Sequence, residues 1–174
     1  MVTLVIGGSG SGKSEYAENL ILSLGERRRI YIATMKPWDE ECEKRIERHQ
    51  RMRAGRQFET IECCRNLKGL EILKNSGMPS AILLECMSNL VSNEIFGTGL
   101  TGERAQTEIL EGVFHLKEQA DDLVIVTNEV FSDGDEYGKE TNAYRKILGE
   151  INRQIAAAAD TVVEVVAGIP VMIK

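Results

Sequence analysis

The sequence has little proline, three residues in 174, and no low-complexity tract. With 43% hydrophobic and 28% charged residues, it has the composition of a chain that folds around a core. It lacks a basic surplus: the formal net charge of -6 argues against a nucleic-acid partner, because binding a polyanion rests on clustered lysine and arginine. No apolar run approaches the length needed to span a membrane, so no integral membrane segment is expected. The start, Val2 to Ile6, runs directly into glycines without the basic region and long apolar stretch of a secretory signal. The four cysteines, Cys42, Cys63, Cys64 and Cys86, show no CxxC spacing, and an adjacent pair suits neither ordinary disulfide pairing nor a zinc cage. Reduced thiols in a cytoplasmic protein are the expectation.

What is present is an alternation of short β-rich runs and longer helical patterns. A length of 174 residues suits a single domain over residues 1–174, and the alternation predicts an α/β fold with a mostly parallel sheet flanked by helices. Strands are expected at Val2–Ile6, Arg29–Thr34, Phe58–Cys63, Ala81–Cys86, Leu123–Asn128 and Thr161–Val166, with Pro170–Ile173 returning as a C-terminal hairpin strand. Helices are expected at Ser14–Leu24, Asp39–Arg53, Leu67–Lys74, Glu103–Gln119 and Asn142–Ala158. Lys36–Asp39, Phe96–Gly102 and Phe131–Glu140 read as loops near the carboxyl ends of strands, where open α/β sheets bind their ligands.

Gly7, Gly8, Ser9, Gly10, Ser11, Gly12, Lys13 and Ser14 spell GxxxxGKS between an apolar strand and a helix, the context a phosphate-binding P-loop requires. Glycines let successive N–H groups converge on phosphate oxygens, Lys13 reaches the outer phosphates, and Ser14 offers a ligand to Mg²⁺. A carboxylate at another strand's end is needed as well. Glu85, closing Ala81-Ile82-Leu83-Leu84, is one candidate and Glu129, after Val126-Thr127-Asn128, is a second. Gly97, Gly99 and Gly102 form GxGxxG, but no strand feeds it as a dinucleotide fold demands.

Cys42, Ile46 and His49 fall at i, i+4 and i+7, which puts His49 on an apolar helix stripe. Spacing alone favours a packed histidine. Against that stands the surrounding cluster of Lys44, Arg45, Arg48, Arg51, Arg53 and Arg56, which disfavours the imidazolium and would stabilise a phosphate attacked by the neutral ring. His115 has no such surroundings and reads as structural.

Together these motifs resemble the bifunctional adenosylcobinamide kinase and adenosylcobinamide-phosphate guanylyltransferase family of cobalamin biosynthesis, over nearly the whole chain. Beyond the P-loop, the likeness rests on Tyr31-Ile32-Ala33-Thr34, Asp39, Glu41, Arg45-Ile46, His49, Arg53, Thr60-Ile61-Glu62, Leu83-Leu84-Glu85-Cys86, Asn93, Asn128-Glu129-Val130, Gly149, Asn152, Gln154, Ala167-Gly168-Ile169-Pro170 and Lys174. It implies a RecA-like P-loop NTPase fold and substrates adenosylcobinamide with GTP or ATP. It further implies Mg²⁺ held at Ser14 and Glu85, His49 as the residue that carries GMP, and a homotrimer. Ala33, Thr34, Met35, Gln50, Arg51, Met52, Arg53, Glu62 and Glu85 are implied to line the GTP site. Three positions depart from the family's pattern: Glu85 stands where Asp is usual, Phe131 where Gly is usual, and Ser132–Gly138 replaces a usual Gly-Ile-Val-Pro segment. A P-loop kinase for another small molecule, and a nucleotide-dependent regulatory module, are the competing readings; covalent labelling by GTP separates them from the transferase.

Overall fold

The computed structural model describes residues 1–37, 44, 46, 47, 51, 55–73, 77–99, 102–131 and 138–174. Seven strands, β1 (Val2–Gly7), β2 (Arg28–Ala33), β3 (Phe58–Glu62), β4 (Ser80–Glu85), β5 (Asp122–Asn128), β6 (Thr161–Val166) and β7 (Ile169–Met172), form one sheet in the order β3-β2-β4-β5-β1-β6-β7. Neighbours are parallel except β6 and β7, which pair antiparallel as the expected hairpin. The apolar runs of β1, β4 and β5 are continuous, as in strands covered on both faces.

Alternate residues serve two cores. Leu4, Ile30, Ile32, Ile82, Leu84, Leu123 and Ile125 pack against α2 (Met87–Thr98), α3 (Gly102–Gln119) and α4 (Lys139–Ala158). Val5, Tyr31, Leu83, Val124 and Val126 pack against Ala17 and Ile21 of α1 (Lys13–Ser23). In α4 the buried residues Arg145, Leu148, Ile151, Asn152 and Ile155 recur at the helical period on one face, which is why that amphipathic segment docks as a helix. β1 lies between β5 and β6, and the connection from β1 to β2 crosses over β5 and β4. The winding therefore reverses at β1, and a crevice opens at its carboxyl end.

Two expectations are corrected. Of the segment predicted as helix Leu67–Lys74, the described residues, 67–73, form only one 3₁₀ turn, Leu67–Gly69. Gln119 at the end of α3 takes its backbone instead: Ile72 N–H donates to Gln119 Oε1 at 2.6 Å and Gln119 Nε2 donates to Leu70 O at 3.0 Å. Gly112 permits this approach, since a Cβ there would lie 2.8 Å from both Leu67 Cβ and Lys68 N. The second correction is α2, which occupies Met87–Thr98 and so takes the first residues of the stretch read as a loop from Phe96. Its buried Met87, Leu90, Val91 and Glu94 are spaced for a helix, but they follow the apolar β4 without an intervening turn signal. Gly99, at φ 69°, ends it. Most of the predicted helix Asp39–Arg53 lies outside the described residues; Lys44, Ile46, Glu47 and Arg51 are helical.

Candidate nucleotide-binding site

The glycine-rich motif occupies the crevice at the end of β1. Gly7 admits no side chain, because a Cβ there would lie 2.5 Å from Ser11 Oγ and 2.7 Å from Val165 O. The loop turns through Gly10 at φ 72° and Gly12 at φ 90°, conformations that cost a residue with a Cβ. No described side chain caps α1, so the N–H groups of its first turn are available to an anion, with the helix dipole behind them. Neighbouring backbone braces the loop: Gly168 N–H, in the β6–β7 turn, donates to Ser11 O at 2.8 Å, and Glu129 N–H donates to Gly7 O at 3.0 Å.

Lys13 is buried, with its Nζ donating to Gly8 O at 3.0 Å. Ser14 Oγ donates to Glu85 Oε1 at 2.6 Å. The structure thus brings Lys13, Ser14 and Glu85 together, and the longer Glu side chain spans from β4 to the start of α1. Glu129, the other candidate carboxylate, accepts from Phe131 N–H at 2.8 Å. A hydroxyl and a carboxylate beside a phosphate cradle form a hard oxygen set that fits Mg²⁺. Among the described residues no cluster of three or more His, Cys, Asp or Glu could hold a metal by itself; a cation held at Ser14 and Glu85 would share its coordination with phosphate oxygens.

The rim comes from the ends of β2, β3 and β4. Thr34 is fully buried, and its hydroxyl donates to Cys86 O at 2.8 Å while accepting from Cys86 N–H at 2.7 Å. Its side chain therefore locks β2 to β4 rather than facing the crevice. Asn93 of α2 donates to Thr34 O at 2.9 Å and to Cys64 O at 3.0 Å, and Cys63 N–H donates to Ala33 O at 2.9 Å. Asn93 thus fixes both rim segments from below, a role that the order of residues along the chain does not announce. Ala33 and Met35 are half-buried and Glu62 is exposed on this rim. The free thiols Cys63, Cys64 and Cys86 all have pKa values pushed up, in each case chiefly by burial.

His49, Gln50, Met52 and Arg53 lie outside the described residues. Of the basic cluster around His49, Arg51 is an exposed helical residue 3.7 Å from Glu47. Arg56 donates to the buried Glu18 of α1 at 2.6 Å, so it anchors the helix behind the P-loop. His115 lies 3.3 Å from Glu71, away from the rim.

Comparison with known proteins agrees with this geometry. The crystal structure of the flagellar accessory protein FlaH from Methanocaldococcus jannaschii superposes with a TM-score of 0.51 at 10% identity, covering 99% of this chain and 77% of that one. A second solved structure, an ATPase domain, superposes at 0.54 with 9% identity, covering 94% and 68%. These establish the P-loop ATPase fold alone. Bifunctional adenosylcobalamin biosynthesis protein CobU is 36% identical in Salmonella typhimurium and 34% identical in Escherichia coli, each over the full length of both chains. CobP of Pseudomonas aeruginosa, also a bifunctional adenosylcobalamin biosynthesis protein, is 29% identical over all of this chain and 98% of its own. The family model described as cobinamide kinase / cobinamide phosphate guanyltransferase matches residues 3–173, and the chain belongs to that family.

Proposed function

We propose that the protein is a transferase that phosphorylates adenosylcobinamide with ATP or GTP. It then transfers GMP from GTP to adenosylcobinamide phosphate, giving adenosylcobinamide-GDP and pyrophosphate. The observation that carries this reading is the assembly of Lys13, Ser14 and Glu85 around the P-loop in a chain matched by the family from end to end.

In the first reaction the substrate hydroxyl attacks the γ-phosphorus, the bond to the β-phosphate oxygen breaks, and the nucleoside diphosphate leaves. Backbone N–H groups of the loop and Lys13 hold the phosphates as charge moves onto the leaving oxygen. In the second, a nitrogen of His49 attacks the α-phosphorus of GTP and pyrophosphate leaves from the same cradle. An oxygen of adenosylcobinamide phosphate then attacks that phosphorus and the N–P bond breaks. Splitting the transfer in two avoids bringing two bulky anions together in one displacement. His49 as nucleophile is supported by its place among the cations of its segment. Ser14 and Glu85 would hold Mg²⁺, whose role is to neutralise phosphate charge.

Gln50, Arg51, Met52, Arg53 and the rim residues Ala33, Met35 and Glu62 complete the proposed GTP site, with the buried Thr34 supporting that rim from beneath by joining the ends of β2 and β4. We assign the working form to a cytoplasmic homotrimer; among the described residues no helix is long and apolar enough to cross a membrane. The test is to supply adenosylcobinamide, Mg²⁺ and GTP and to resolve the products chromatographically. Adenosylcobinamide-GDP and pyrophosphate should form in equal amounts and vanish in Lys13→Ala. Accumulation of adenosylcobinamide phosphate alone would sink the transferase half, and absence of any corrinoid product would sink the whole reading.

A further inference from the structure

Behind the phosphate loop, on the face of the sheet that carries α4, lies an open groove of about 1120 Å³. Its walls include Ile6, Phe131 and Val162, together with Glu129, Asn152 and Glu164. Two features separate it from an ordinary surface depression. Asn152 is only 7% exposed, and its Oδ1 accepts from the buried Thr127 hydroxyl at 2.9 Å. Its Nδ2 is buried with no hydrogen-bond partner among the described residues, and such a group stays unpaired only at a cost unless a ligand meets it. The groove also borders the root of the phosphate loop, since its lining residue Ile6 immediately precedes Gly7 and the N–H of its lining residue Glu129 is bonded to Gly7 O.

We propose that this groove holds the corrin ring of the substrate, with the Asn152 side-chain amide donating to one of the carbonyls of the ring's peripheral amides. The assignment rests on the cobinamide reading above. Its volume exceeds the roughly 300–1,000 Å³ of ordinary small-molecule pockets, as a macrocycle requires. Apolar walls suit the flat face of the ring, and the polar groups suit an amide-bearing edge. A ring seated here lies beside the carboxyl end of β1, from which its hydroxyl-bearing arm extends to the P-loop.

The test is equilibrium dialysis of dicyanocobinamide against the full-length protein, with GTP affinity, thermal unfolding and sedimentation measured in parallel. Ala156→Trp places an indole in the groove from α4, where Ala156 is a lining residue. Asn152→Asp keeps an acceptor for Thr127 and removes the donor. The expected result is cobinamide binding weakened by about tenfold or more in each variant, with GTP affinity and fold retained. Undiminished cobinamide binding in either folded variant would overturn the proposal, as would a change in sedimentation with cobinamide binding unchanged, which would show a second copy of the chain on this face. A native protein that binds GTP but no cobinamide removes the underlying functional reading instead.

Discussion

Asn93→Leu tests whether the rim is held as described. The Asn93 side chain is 6% exposed, and its Nδ2 bonds Thr34 O at 2.9 Å and Cys64 O at 3.0 Å. Leucine preserves the volume and removes both donors, leaving two carbonyls to find other partners. A buried group left unsatisfied costs roughly 1–3 kcal/mol. Thr34 is fully buried while Cys64 is half-buried, so water can relieve only the second. The sum is about 2–4 kcal/mol, which for a chain of this length lowers Tm by roughly 5–15 °C. Urea unfolding followed by circular dichroism reads the stability, and GTP titration reads the consequence, since both bonds position segments next to Ala33, Met35 and Glu62. Affinity for GTP should fall even where the variant is fully folded. Asn93→Asp, which brings a carboxylate to the same two carbonyls, should be at least as unstable. A leucine variant within about 0.5 kcal/mol of the native chain, the range of an ordinary surface substitution, would refute the reasoning.

Gly7→Ala forces a Cβ against the Val165 carbonyl at 2.7 Å. It should cost about 1–3 kcal/mol in urea unfolding and weaken nucleotide binding, because the loop must shift with its root. Ser14→Ala removes the hydroxyl bonded to Glu85 and should raise the Mg²⁺ concentration needed for half-maximal turnover more than it changes Mg²⁺-free nucleotide binding; an unchanged Mg²⁺ requirement would remove Ser14 from the metal site. Burial, followed by the neighbouring Cys86, pushes the Tyr144 phenol up to about 12 from 10.0. The unfolded chain therefore releases this proton first, so stability present below pH 10 declines toward pH 12 with a slope of at most about 1.4 kcal/mol per pH unit. Tyr144→Phe should flatten that part of the profile.

Much of this architecture is legible in the sequence, for local reasons. The apolar runs of β1, β4 and β5 and the amphipathic stripes of α3 and α4 each carry their own period, and GxxxxGKS marks both the turn and its ligand chemistry. What escapes is set by distant residues. Leu67–Lys74 has helical composition, but Gln119, more than forty positions away along the chain, holds its backbone in another form. α2 follows β4 so closely that one apolar run conceals the boundary. The choice between Glu85 and Glu129 as the partner of Ser14 depends on which strand end faces α1, and the attachment of Arg56 to Glu18 depends on packing against the back of that helix. Asn93 stands among the residues that resemble the family, yet its work as a strut emerges only when two strand ends meet above it.

The central claim, one P-loop serving a transfer through His49, is tested most directly by incubating the protein with Mg²⁺ and GTP labelled at the α- or the γ-phosphate, in the native chain and in His49→Ala. The account predicts acid-labile, base-stable label on the native protein from the α-phosphate and not the γ, lost in His49→Ala while GTP still binds. A native protein that binds GTP without covalent label, or a label that survives in His49→Ala, would contradict it.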